Sequence, residues 1–168
     1  MNRPILSREA RLRAVVHYPH AGLEWWLQLY FHTVMRRVVL PRDAVLVAFE
    51  ETPHGDGHTQ SGVCDLVYRD SSGQLYVIET KIIDERSGAT ARKRRTRKRD
   101  HLWCQLERRG ESFAHRGVGT PILIAVTTDW IDSPMPGAHC RVACRKLLAW
   151  RSRLSLSGAL AGVPPHSR

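Results

Sequence analysis

The sequence has no uninterrupted run of roughly 18 or more apolar residues, so no segment is long enough to cross a bilayer as a helix. Residues 1–16 are interrupted by charge and lack the apolar core of a secretory signal peptide. Cysteine is scarce and shows no CxxC pair: the four positions are Cys64, Cys104, Cys140 and Cys144. We therefore expect reduced thiols in an intracellular protein, nuclear if eukaryotic or viral and otherwise cytoplasmic.

Acidic residues are also few, since 16 Asp and Glu face 26 Lys and Arg, giving a formal net charge of +10. This excess predicts an anionic partner, with nucleic acid ahead of an acidic membrane surface. A hydrophobic content of 42% with five Trp predicts a folded core. The 168 residues suit a single domain, which we place at 1–161, followed by a flexible tail at 162–168.

Residues 62–83 are typical of a β-hairpin, with two apolar strands separated by turn-forming residues at 70–74. Side chains alternate between the faces of a strand, so Glu79 and Lys81 are expected on one face. The hairpin can bring Asp65 across from Glu79. The strands are otherwise apolar on both faces, and charges in such a place are costly unless paired or metal-bound. The alternative is a surface salt bridge between Glu79 and Lys81.

Asp65 followed, after thirteen intervening residues, by Glu79-Thr80-Lys81 resembles the PD-(D/E)XK signature of the restriction-endonuclease-like nuclease superfamily. Cys64 stands where that family usually has proline. The segment 87–92 is also similar to the corresponding part of a nuclease-like family found in herpesviruses.

The order of predicted elements agrees with this resemblance. Helices are predicted at 7–16, 22–38, 90–109 and 142–160, strands at 43–51, 63–68, 75–83 and 120–128, and a loop at 130–139. Thr90 is the expected N-cap of the third helix, and Gly110 is expected to end it. The resemblance implies an α/β (α+β) fold with the restriction-endonuclease-like core order α-β-β-β-α-β, in which helices flank a central mixed four-stranded sheet.

The resemblance also implies an activity, that of a Mg²⁺-dependent deoxyribonuclease that accepts Mn²⁺, with RNA a less favoured substrate. The carboxylates of Asp65 and Glu79 and the carbonyl of Thr80 would hold the ion. Lys81 would orient the attacking water and stabilise the transition state. The further candidates are Glu24 as a third carboxylate, ahead of Glu50 and Glu51, and Gln105 or Lys98 on the helix that follows the hairpin.

Residues 92–99, the basic segment, are basic at every position except Thr96. We predict that phosphates contact its seven cations, which are Arg92, Lys93, Arg94, Arg95, Arg97, Lys98 and Arg99. The alternative for this run is a nuclear-import tract or a solvated charge run. Two further interpretations of the chain stay open: a non-catalytic nucleic-acid-binding module that keeps the nuclease fold, and a protein-interaction or targeting domain.

Weaker metal-binding patterns occur elsewhere in the chain. His54, Asp56 and His58 lie in a Gly-rich loop that explains them equally well as polar loop residues. The run from His139 to Cys144 supplies only half of a zinc site. Because a single core of this size has few additions for substrate recognition, a homodimer or a partner subunit is a further expectation.

Overall fold

The computed structural model describes residues 7–14, 22–51, 64–83, 88–115, 119–128 and 138–157. The helices are α1 (Arg8–Ala14), α2 (Leu23–Tyr30), a π-helical stretch (Phe31–Met35), α3 (Arg36–Val39), α4 (Ala89–His115) and α5 (Cys144–Ser157). The strands are β1 (Val45–Glu51), β2 (Cys64–Arg69), β3 (Leu75–Lys81), β4 (Ile122–Thr127) and β5 (Ala138–Arg141).

The predicted second helix is continuous from α2 to α3 but changes its winding in the middle. The hydroxyl of Thr33 donates to the carbonyl of Leu29 at 2.8 Å, one turn earlier, at the start of the π-helical stretch. Such back-bonding competes with the backbone donor of the helix. Pro41 follows the end of α3, where proline cannot continue a helix.

The hairpin between β2 and β3 is confirmed, and Asp70 organises its turn. The Oδ1 atom of Asp70 accepts hydrogen bonds from the backbone N–H groups of Ser72 at 2.9 Å and Gln74 at 3.0 Å. Gly73 has a φ of 89°, a conformation that favours glycine. The hydrogen bond from the Ser72 side chain is the main cause that lowers the pKa of Asp70.

The five strands form one mixed sheet in the order β1-β2-β3-β4-β5. The β1–β2 and β2–β3 pairs are antiparallel, whereas β3–β4 and β4–β5 are parallel. The expected α/β class with a mixed sheet is therefore confirmed. The prediction of four strands is wrong, because β5 begins inside the predicted loop at 130–139. The four residues of β5, AHCR, carry no strand-like alternation, and pairing with β4 decides their conformation.

Helices cover both faces of the sheet. On one face, Tyr68 and Ile78 pack with Leu27 of α2 and Leu147 of α5. On the other face, Val77 and its neighbours pack against α4 through Leu102, Leu106 and Phe113. A side chain at the end of β3 therefore lies near α2 if it points to one face of the sheet and near α4 if it points to the other.

Helix α4 is longer than predicted, since it passes through Gly110 and ends at His115. The expectation that Gly110 ends the helix is wrong. A Cβ atom at Gly110 would lie 3.2 Å from Cδ1 of Leu123, so glycine lets α4 approach β4 closely.

No helix in the described part of the chain is long and apolar enough to cross a membrane.

Candidate functional site

The candidate site lies where the parallel strands β3 and β4 reach their carboxyl ends. Lys81 pairs with Thr127 at the last position of the two strands. Beyond it, the backbone N–H of Ile83 donates to Oγ1 of Thr128 at 2.8 Å, and this hydroxyl donates to the carbonyl of Ile83 at 2.8 Å. These paired bonds hold the chain that leaves β3 against the chain that leaves β4.

The side chain of Asp65 binds to β3 at the position where the backbone pairing of β2 with β3 ends. The described pairs begin at Leu66 and Ile78, and the next register position would set Asp65 opposite Glu79. Instead, Oδ2 of Asp65 accepts hydrogen bonds from the backbone N–H of Thr80 at 2.7 Å and from its hydroxyl at 2.6 Å. A further hydrogen bond joins Asp65 to Gln28 of α2. Asp65 is therefore turned toward the α2 face.

Burial raises the pKa of Asp65 above its ordinary value of 3.8. The hydrogen bonds from Thr80 and Gln28 act in the opposite direction, because they stabilise the carboxylate. The negative charge of Glu24 adds to the upward shift of the pKa. Asp65 is thus a carboxyl group of increased basicity beside a second carboxylate.

Glu79 is turned toward the opposite face of the sheet. Its side chain is only 2% exposed, and its Oε1 lies 3.0 Å from Nε of Arg109 on α4 in a buried ion pair. Because desolvated charges are expensive, Arg109 is the counter-charge that makes this burial tolerable. Asp65 and Glu79, which the PD-(D/E)XK resemblance places together, therefore contact different helices.

Lys81 joins the α2 side of the site. Its Nζ lies 3.2 Å from Oε1 of Glu24, and the same oxygen accepts a hydrogen bond from the backbone N–H of Ile82 at 3.4 Å. The Lys81 side chain is 21% exposed, so its ammonium can meet a ligand from solvent. The structure brings together three of the predicted residues, namely Glu24, Asp65 and Lys81.

The basic segment forms the first half of α4 and is attached to the strand that carries Glu79 and Lys81. Nζ of Lys98 donates to the carbonyl of Ile82 at 2.7 Å. Four of the seven cations are exposed, whereas Arg95, Lys98 and Arg99 are half-buried. The exposed four are Arg92, Lys93, Arg94 and Arg97.

The remaining predicted residues are placed as follows. Gln105 is half-buried on α4, and Arg109, one turn later, is the α4 residue that contacts Glu79. Thr80 is 3% exposed, with its N–H and hydroxyl engaged by Asp65. The side chains of Glu50 and Glu51, and His54, Asp56 and His58, lie outside the described residues.

The side chains that the structure describes do not fit a Mg²⁺ ion as they stand. Carboxylate oxygens are the right donors for a hard cation, but Oδ2 of Asp65 is held by Thr80 and Oε1 of Glu79 by Arg109. Within the described ranges, no group of three or more His, Cys, Asp or Glu residues is arranged to hold a metal. Binding through both carboxylates requires Glu79 to leave Arg109.

Two residues of the site were missed by the sequence reasoning. Gln28 is a buried polar side chain among the apolar residues of α2, and Arg109 lies on the stripe that Leu102, Leu106 and Phe113 form on α4. A polar residue at a core position needs a partner, and this requirement is the signal that could have identified both. Cys64 lies close to the same charges, but burial raises its pKa to about 12, so it remains a thiol.

Comparison of the chain with protein-family models, curated proteins and solved structures finds no match. The resemblance to the nuclease superfamily therefore rests on sequence patterns alone, which are the spacing of Asp65 and Glu79-Thr80-Lys81, the order of predicted elements and the segment 87–92.

Proposed function

We propose that the protein is a nuclease of the PD-(D/E)XK type, with a restriction-endonuclease-like core, that hydrolyses phosphodiester bonds of DNA in preference to RNA. One observation carries the proposal. At the carboxyl end of β3, the structure combines the carboxyl group of Asp65, whose pKa is raised by burial, with the partly exposed ammonium of Lys81. Both lie beside the basic segment of α4. An acid–base group and a cation next to a phosphate-binding surface are what phosphodiester hydrolysis requires.

The basic segment would hold the nucleic-acid backbone. Four exposed cations on one half of α4 can contact successive phosphates, which fixes the position of the strand without reading its sequence. The Lys98 bond to the Ile82 carbonyl keeps this surface next to Lys81. A phosphate bound there is therefore close to the candidate catalytic residues.

Lys81 and Asp65 would act on the scissile phosphate. Glu24 holds the Lys81 ammonium in a fixed direction, so it can stabilise the charge that develops on the phosphate oxygens. Asp65, whose pKa is raised, can accept the proton of the attacking water. Mg²⁺, with Mn²⁺ as a substitute, is the proposed cofactor, and we expect cleavage to stop in EDTA.

A second candidate is a nucleic-acid-binding module without catalytic activity. The Arg109–Glu79 pair favours it, because a buried arginine neutralises the carboxylate that the nuclease needs. Under this alternative the basic segment binds phosphates and the end of β3 is only a supporting element.

Incubation with supercoiled plasmid, with and without Mg²⁺ or Mn²⁺, separates the two. Lys81→Ala should abolish metal-dependent nicking, whereas Lys146→Ala removes an exposed lysine of α5 and should leave it intact. Absence of nicking by the unaltered protein, with salt-sensitive binding retained, would reject the nuclease and support the binding module.

A further inference from the structure

A groove lies between the continuous helix that runs from α2 to α3 and the junction of β5 with α5. On the junction side it is lined by Val142 and by two cations, Arg141 and Lys146. On the helix side its lining is apolar and consists of Tyr30, Val34, Met35, Val38 and Val39. We call this feature the apolar groove.

Two valines of the apolar groove remain in contact with solvent. Val38 is 87% exposed and Val34 is 41% exposed, and the two lie four positions apart on the same helix. Tyr30 and Val142, which also line the groove, are buried. A single exposed apolar residue needs no explanation, but a contiguous apolar surface rimmed by charged side chains is typical of an interaction site.

The π-helical stretch shapes one wall of the apolar groove. Val34 and Met35 belong to this stretch, in which the helix is wound more widely than in α2. Single π-helical turns inside an α-helix are rare and occur frequently at functional sites. The irregular part of the helix therefore coincides with its exposed apolar surface.

The size of the apolar groove favours inserted side chains over an enclosed small molecule. Pockets that bury a drug-sized ligand measure roughly 300–1,000 Å³. The apolar groove encloses about 210 Å³, which suits a few aliphatic side chains presented by a partner helix. A concave surface also matches a lipid bilayer poorly, because membrane binding buries an apolar face that protrudes.

The charge of the apolar groove selects the kind of helix. Of the described residues that line it, two are basic and none is acidic. Arg37 and Arg145, the chain neighbours of Val38 and Lys146, are exposed cations as well. A two-fold contact with a second copy would bring the same cations together, and each copy carries a net charge of +10. A helix with carboxylates is the complementary partner.

We propose that the apolar groove binds an amphipathic helix of another protein, with large aliphatic side chains on one face and Asp or Glu beside them. The aliphatic side chains lie against Val34 and Val38, and the carboxylates meet Lys146 and Arg141. Of the two assemblies expected for a core of this size, the apolar groove thus serves a partner subunit and not a homodimer. The proposal does not depend on nuclease activity.

The probe is a labelled synthetic helical peptide with leucine at every third or fourth position and glutamate at most of the others. Fluorescence anisotropy compares it with an analogue that has alanine for each leucine and therefore keeps every charge. The analogue should bind at least about tenfold more weakly, because burial of even one aliphatic side chain contributes that much. Equal charge separates this effect from general attraction to a cationic protein.

Variants then locate the binding site. Val34→Ser combined with Val38→Ser should weaken binding of the leucine peptide at least about tenfold. Val38→Ser alone changes a side chain that is 87% exposed, so it keeps the test valid if the double variant is unstable. Val45→Ser, which alters an exposed valine of β1, is the control and should bind as the unaltered protein does.

A charge reversal tests the rim of the apolar groove. Lys146→Glu should weaken binding of the leucine peptide by about two- to fivefold, the order expected for an exposed ion pair. Arg153→Glu makes the same change of net charge at another exposed position of α5 and should have no such effect.

Three results would overturn the proposal. The first is failure of the leucine peptide to bind at millimolar concentration, or equal affinity for the leucine peptide and its alanine analogue. The second is an affinity that Val34→Ser with Val38→Ser leaves unchanged. The third is binding of anionic lipid vesicles, or self-association in ultracentrifugation, that this variant abolishes while peptide binding persists.

Discussion

Replacing the four exposed cations of the basic segment by glutamine tests whether α4 binds phosphates. These cations are Arg92, Lys93, Arg94 and Arg97. Each phosphate contact on duplex DNA contributes about 0.9 to the slope of log K against log salt concentration. Four contacts predict a slope of about −3.6, which corresponds to roughly a 150-fold loss of affinity between 50 and 200 mM salt.

The assay is fluorescence anisotropy of a labelled DNA duplex at several salt concentrations. The fourfold variant should make the slope less negative by about 3.6, because four of the contacts that release counterions are gone. A matched variant replaces four exposed cations outside α4 by glutamine and should keep the slope of the unaltered protein. Its positions are Arg37, Arg145, Lys146 and Arg153. A flat salt dependence of the unaltered protein, or equal losses in both variants, would refute the assignment of α4.

Three further predictions concern the fold and the site. Glu79→Gln or Arg109→Gln alone should lower the free energy of unfolding by roughly 3–5 kcal/mol in urea denaturation, because each leaves a buried charge without its partner. Tyr68→Phe should cost about 1–3 kcal/mol, because its hydroxyl lies 2.8 Å from the buried Nδ1 of His32. Relative to the unaltered protein, Asp65→Asn should gain more unfolding free energy at neutral pH than at acid pH, because burial raises the pKa of Asp65 in the folded state.

The sign of the Asp65 effect follows from proton binding. Well below pH 3.8, the ordinary pKa of aspartate, the carboxyl is protonated in both states, so the pKa shift adds no difference between Asn and Asp. As the pH rises, the unfolded chain loses the proton first, and the unfolding free energy of the unaltered protein falls until the folded carboxyl also ionises. The asparagine side chain does not ionise, so the unfolding free energy of the variant does not fall in this way. Thermal melts of both proteins across this range should therefore diverge with rising pH, and parallel curves would contradict the burial argument.

Controls for the other two predictions use the same chemistry at different sites. The double variant Glu79→Gln with Arg109→Gln should lose much less stability than the sum of the single losses, because neither charge remains buried. Tyr76→Phe removes a hydroxyl that donates to Asp70 at the hairpin turn, and it should cost less than Tyr68→Phe. Additive losses in the first case, or equal losses in the second, would contradict these assignments.

The elements with strong local signals could be predicted from the sequence. The hairpin follows from two apolar strands around the Asp70 turn, and β4 follows from an uninterrupted apolar run. The fold could not be predicted where tertiary pairing overrides local pattern. Strand β5 has no alternation of its own, and Gly110 continues α4 because Leu123 packs against it.

The sequence named Glu24, Asp65 and Lys81, which the structure brings together, but it did not indicate Gln28 or Arg109 or show which groups pair. Strand alternation places Glu79 on the same face as Val77, which packs with the apolar residues of α4, but it cannot tell that Arg109 lies opposite, because that contact joins residues 30 positions apart. Alternation also fails at the end of β2, where the Asp65 side chain bonds to the N–H of Thr80 and turns toward α2. Such side-chain bonds to the backbone depend on the residue at which strand pairing ends, and the alternation of apolar residues in the sequence does not show that residue.

The most direct test of the nuclease proposal is plasmid cleavage by Asp65→Asn in Mg²⁺. Asparagine keeps an oxygen for the N–H and hydroxyl of Thr80, so the strand end should remain folded while the basic carboxylate is lost. Asp100→Asn, which changes an exposed carboxylate of α4, is the control. The account predicts that Asp65→Asn binds DNA but does not cut it, whereas Asp100→Asn cuts at the unaltered rate. Cleavage by Asp65→Asn at that rate would contradict the account.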